Sequence, residues 1–102
     1  VTVEAVRGVT VAIHPGEFLA ETLQELGISQ ARFARAIGVS PMRISHIVNG
    51  TRPVSAELAL RIGRALGQSP QYWLNLQTMY DLKMAEAAIG EKLADVTDLV
   101  AA

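Results

Sequence analysis

Four consecutive segments of this chain open on a serine and close on a glycine, and that punctuation limits the fold more tightly than any other feature. Ser29 leads to Gly38, Ser40 to Asn49-Gly50, Ser55 to Gly67, and Ser69-Pro70 to Gly90. A serine hydroxyl satisfies a free amide in a first helical turn. A glycine accepts the left-handed conformation that stops a helix. Between these marks the apolar residues recur at helical spacing. They are Phe33, Ala34 and Ile37, then Ile44, Ile47 and Val48, then Leu58, Ile62 and Leu66 with Ala59 and Ala65. One more segment precedes them, opened by His14-Pro15 and closed by Gly27, with Phe18, Leu19, Thr22, Leu23 and Leu26 as its stripe. Pro15, Pro41 and Pro70 stand where a first helical residue needs no donor. The chain is therefore predicted to be all-α, a compact bundle of five short helices, the fifth over residues 71–89.

At 102 residues, half of them apolar, the chain suits one domain with a modest core that gains from a partner. It divides into an arm at 1–13, a helical domain at 14–89 and a tail at 90–102, where Leu93, Val96, Leu99 and Val100 give a weak amphipathic pattern. The arm reads as two strand-like runs about Arg7-Gly8; a hairpin and a disordered segment fit it equally. Glu4 and Arg7 interrupt it and no basic stretch precedes it, so a signal peptide is not expected. No apolar run reaches membrane-spanning length. The chain has no cysteine, which excludes disulfides and thiolate metal sites and suits the cytoplasm.

The net charge of −1 hides a split. Residues 29–64 hold six arginines (Arg32, Arg35, Arg43, Arg52, Arg61 and Arg64) against the single carboxylate Glu57. The rest holds three basic residues against nine acidic ones. Such asymmetry suggests two kinds of partner, phosphates for the centre and a basic protein for the flanks. For any single charge, solvated helix surface is the better account.

Two short helices joined through Gly38 match the helix-turn-helix plan. Ala34 is small where two helices must cross closely, Gly38 permits the sharp turn, Val39 plugs it and Ser40 restarts the helix. On the third helix, Ile44, Ile47 and Val48 turn inward, Met42, His46 and Asn49 turn outward, and Arg43 and Ser45 lie on the shoulders. That outer face suits a major groove, whose base edges offer donors, acceptors and thymine methyls. Arg43 is the candidate for guanine, Pro41 and Met42 for thymine methyls, and Ser45 and His46 for bases or phosphates.

The stretch Ser29-Gln30-x-x-Phe33-Ala34-x-x-x-Gly38-Val39-Ser40-x-x-x-Ile44-Ser45-x-x-x-Asn49-Gly50-x-Arg52 resembles the phage-repressor-like, or Cro/C1-type, helix-turn-helix domains. The resemblance implies phosphate contacts from Gln30, which opens the second helix, and from Asn49 and Arg52 beyond the third. Arg32 and Arg35 join them as backbone candidates, because the second helix crosses the DNA backbone in such motifs, and Ser40, which opens the third helix, is a further one. His14-Pro15-Gly16-Glu17 and Ser69-Pro70-x-Tyr72-Trp73-Leu74-Asn75-Leu76-Gln77-x-x-Tyr80-Asp81-Leu82 are similar to HigA-type antitoxins of bacterial toxin–antitoxin pairs, a likeness covering residues 13–86. It implies a homodimer that represses its own operon at a palindromic operator and neutralises a small basic toxin that cuts mRNA.

Other features read more simply as structure. His14 and His46 lack ligand-spaced carboxylates and make no metal site; His14 is expected to fix the start of the first helix. The helix-opening serines are caps rather than nucleophiles, and the glycines lack phosphate-loop spacing. No enzymatic activity and no cofactor are expected. Trp73 is expected in the core. The fifth helix carries two apolar faces, Trp73, Leu76, Tyr80 and Met84 on one, Tyr72, Met79, Leu82 and Ile89 on the other. The second is a candidate dimer interface, with one broad buried face as the alternative. Glu17, Glu21 and Glu25 share a face of the first helix and are candidates for toxin contact; complementing the helix dipole explains them as well.

Overall fold

The computed structural model describes residues 12–100. It contains α1 (Pro15–Leu26), α2 (Gln30–Ile37), α3 (Pro41–Val48), α4 (Ala56–Leu66), α5 (Pro70–Ile89) and a short 3-10 helix (Gly90–Asp95). The expected hairpin or disordered arm lies almost wholly outside these residues.

The punctuation works as its chemistry dictates. Ser29, Ser40, Ser55 and Ser69 each hold an extended conformation and accept a first-turn amide, from Arg32, Arg43, Leu58 and Gln71 respectively. His14 does the same for α1, its Nδ1 accepting from the Gly16 amide at 2.9 Å. At the end of α2, Gly38 takes φ 77° and returns its amide to the last turn, a conformation that costs a side-chain-bearing residue strain.

The core gathers one face from each helix. Leu19, Phe33, Ile44, Ile47, Leu58, Ile62 and Trp73 are fully buried, and Leu23, Ile37 and Val54 nearly so. Ala34 and Ala59 are completely covered, which lets their helices approach closely. Gly16 sits so tightly on the end of α3 that a Cβ there would collide with the Ile47 carbonyl. Trp73 seals the bundle from α5, and its indole Nε1 donates to Gln68 Oε1 at 2.8 Å. A buried indole N–H that found no acceptor would be costly.

Some expectations fail at the margins. Leu26 and Ala65 face solvent rather than the core, because each lies in the last turn of its helix, beyond the next layer. The first apolar face of α5 is only partly internal: Trp73 is buried, Leu76 and Tyr80 are half-buried, and Met84 is exposed. The bundle ends before α5 does, so its outer two turns have no helix beside them. The tail forms no amphipathic helix. Gly90, at φ 55° and ψ −131°, breaks the path, and Leu93, Val96, Leu99 and Val100 are exposed.

Candidate nucleic-acid interface

Helix α3 is eight residues long and is held from behind by Ile44 and Ile47. Pro41 and Met42 project outward, Met42 with 68% of its surface exposed. Asn49 is exposed, and its Nδ2 donates to Ser45 Oγ at 3.4 Å. Ser45 and His46 are half-exposed. The face therefore combines apolar atoms, hydroxyl, imidazole and amide on a rigid, short helix, the mixture that base edges require.

Arg43 is placed differently from its neighbours. Its Nη2 lies 3.4 Å from Ser55 Oγ and 3.9 Å from Glu57 Oε1. Glu57 is in turn held by Arg61, whose Nη2 approaches Glu57 Oε2 at 3.1 Å. Arg61 Nη1 donates to the Ile37 carbonyl at 2.7 Å, at the end of α2. Arg61, read from the sequence as a phosphate contact or solvated surface, is thus a tie between α4 and the turn. The single carboxylate in the basic segment joins the two arginines in the middle of this chain of contacts. Exposed pairs of this kind contribute about 0–1 kcal/mol, so Arg43 is positioned without being locked away from a base.

The backbone candidates sit around this face. Gln30 is the exposed first residue of α2, and Arg32 and Arg35 project from the same helix. The Ser40 hydroxyl is occupied as a cap on the Arg43 amide at 3.1 Å. Arg52 is exposed on the loop after α3. That loop is tightly tied. The His46 carbonyl accepts from Thr51 N at 2.9 Å, Thr51 Oγ1 at 3.1 Å and Arg52 N at 3.3 Å. Val54 N donates to the buried Gln77 Oε1 of α5 at 2.8 Å, and Gln77 Nε2 donates to Asp81 at 2.9 Å. Gln77 went unnoticed as a site residue in the sequence; a glutamine on the Trp73 side of an apolar helix is the one signal that pointed to it. Among the described residues no cluster of His, Asp and Glu could hold a metal ion, and no helix is long and apolar enough to cross a membrane.

A helix-turn-helix family model matches residues 19–73, which include all of α2, α3 and α4. The chain belongs to this helix-turn-helix family. It is 53% identical over 76 residues to virulence-associated protein I of Dichelobacter nodosus, an alignment covering 74% of this chain and 70% of the relative. A HigA-family addiction-module antidote protein from Coxiella burnetii superposes with a TM-score of 0.83 at 42% identity, covering 85% of this chain and 97% of the other. The Pseudomonas aeruginosa antitoxin HigA, solved with the higBA promoter, gives 0.83 at 41% identity and covers 89% and 100%. This helix-turn-helix protein is thus HigA-like in sequence and fold.

Two further surfaces of the helix-turn-helix chain lie apart from α3. Glu17, Glu21 and Glu25 are exposed on the outer side of α1, opposite Leu19 and Leu23. On α5, Tyr72, Met79, Leu82 and Ile89 expose 45%, 59%, 60% and 40% of their surfaces.

Proposed function

We propose that this chain is a sequence-specific DNA-binding antitoxin that represses its own operon as a homodimer and neutralises a cognate mRNA-cutting toxin. One observation carries the reading: a short helix braced by Ile44 and Ile47 presents Met42, Arg43, Ser45 and His46 outward, on a fold shared with a HigA antitoxin solved with its promoter. In this reading Pro41, Met42, Arg43, Ser45 and His46 read bases. Gln30, Arg32, Arg35, Ser40, Asn49 and Arg52 contact the backbone and set the register.

Residues 14–89 then form the DNA-binding and dimerising domain, with an arm before it and a tail after. The exposed apolar residues of α5, Tyr72, Met79, Leu82 and Ile89, suit a second copy of the chain. A two-fold pair would set its recognition helices about 34 Å apart, one turn of DNA, and read a palindrome. Glu17, Glu21 and Glu25 would steer a basic toxin toward α1.

The test has two arms. Footprinting on the DNA upstream of the gene is expected to show two symmetric half-sites. The adjoining reading frame is expected to encode a small basic protein, and co-expression with it to rescue growth and yield a co-purifying pair. A footprint without rescue or co-purification would replace the antitoxin with a free-standing repressor; no footprint would overturn the reading.

A further inference from the structure

We infer that Gln77, on the buried side of α5, is a positioning residue for DNA binding: it holds the loop after the recognition helix so that Arg52 meets the phosphate chain. This rests on the reading of Arg52 as a backbone contact. Gln77 is itself only 6% exposed, so it acts through the loop rather than on the duplex.

An apolar side chain in a core position loses no bonds with water, whereas an amide must recover them from the protein. Gln77 recovers two. Its Oε1 accepts from the Val54 amide at 2.8 Å, across 23 positions of the chain. Its Nε2 donates to Asp81 Oδ1 at 2.9 Å, one turn further along α5. The two partners fix which way the amide faces. Turned over, it would set its NH2 against the Val54 N–H and its oxygen against the Asp81 carboxylate. The acceptor is thus held toward the loop.

The bond secures the far side of Arg52. Pro53 has no amide and narrows the backbone freedom of the residue before it, so Val54 supplies the first donor after Arg52. On the near side, the Arg52 amide bonds the His46 carbonyl at 3.3 Å, beside Thr51 N at 2.9 Å. The Val54 side chain is buried, while Thr51, Arg52 and Pro53 are exposed. Arg52 therefore projects from a short span tied at its two ends to different helices, to α3 through the His46 carbonyl and to α5 through Gln77. A guanidinium on such a span loses less freedom on binding than one on a loose loop.

Gln77→Met keeps the length of the side chain and loses both polar groups. Binding to the operator and to a random duplex of equal length is measured for Gln77→Met, Arg52→Ala and Gln30→Ala, and for Gln77→Met combined with each of the other two. Circular dichroism shows that each variant is folded under the binding conditions. Gln77→Met is expected to weaken both duplexes equally, by roughly threefold to tenfold. Most of that penalty is expected to vanish in the Arg52→Ala background, since both act through one contact. All of it is expected to remain in the Gln30→Ala background, because Gln30 stands on α2, away from the loop. A merely structural role would give the same penalty in both backgrounds. That result, wild-type binding by Gln77→Met, or a loss confined to the operator overturns the inference and leaves the phosphate reading of Arg52 intact. Wild-type binding by Arg52→Ala overturns both.

A second measurement uses the wild-type chain and serves if Gln77→Met does not fold. A loop positioned in advance has its tie before DNA arrives. In the free protein the Val54 amide is expected to exchange with solvent at least roughly a hundredfold more slowly than an unbonded amide. Less protection than that overturns the inference.

Discussion

Helix α3 and the outer half of α5 both expose apolar and polar groups, but only α3 is held on its other side. Behind α3 stand Ile44 and Ile47, and its two ends are fixed by Ser40 and by the bonds gathered on the His46 carbonyl. Beyond Gln77, α5 has no buried residue at all: Met79, Leu82, Met84 and Ile89 are exposed together. A braced face with mixed chemistry suits recognition, in which side chains must meet a ligand in fixed positions. An unbraced apolar face is the pattern of a surface completed by another chain. The difference teaches that exposure alone does not mark function; what stands behind the exposed residue does.

The comparison breaks most visibly within α5 itself. Trp73→Ala removes a fully buried ring and its bond to Gln68, and is expected to lower unfolding free energy by about 3–5 kcal/mol in urea titrations. Leu82→Glu, about two and a half turns away on the same helix, is expected to leave the stability of the isolated monomer within about 0.5 kcal/mol while shifting sedimentation from dimer to monomer. Equal effects of the two on monomer stability would remove the distinction between the halves of α5.

Acidification sharpens it on the other side. The His14 pKa is lowered by burial, so between its folded and unfolded values the unfolded chain binds the proton that the fold refuses. Stability is therefore complete above the ordinary histidine value and is lost as the pH falls through the lower folded one. Thermal melts of wild type are expected to decline over that window, and those of His14→Gln to decline less. The smallest effect belongs to Glu57→Gln, which keeps a hydrogen-bond acceptor for Arg61 but frees Arg43 of a carboxylate. It is expected to cost under about 1 kcal/mol of stability and to raise affinity for random DNA more than for operator, as read by competition binding.

The parts of the fold written in local chemistry were legible. Ser29, Ser40, Ser55 and Ser69 declare helix starts because the bond each makes closes within three residues. The turn at Gly38 and the inward set Phe33, Ala34, Ile37, Ile44 and Ile47 follow from spacing alone. The ties between segments were not legible. Arg61 meets the Ile37 carbonyl across 24 positions and Gln77 meets Val54 across 23; no local pattern encodes such a distance, and both residues look like ordinary surface polar groups in the sequence. Arg43 shows the same limit at the candidate site. Its place on the shoulder of α3 follows from helical period, but its lean toward Ser55 and Glu57 depends on where α4 begins. The half-buried state of α5 follows from where the bundle stops, which period cannot reveal.

The central claim is that α3 reads bases while its surroundings hold phosphates, and one paired measurement tests it most directly. Affinities of wild type, Arg43→Ala and Gln30→Ala are measured for the operator and for random DNA across a range of salt. Arg43→Ala is expected to lose about 1–3 kcal/mol on the operator and far less on random DNA. Gln30→Ala is expected to lose the same factor on both. Equal losses for Arg43→Ala on the two duplexes would make it a phosphate contact and contradict the account of α3.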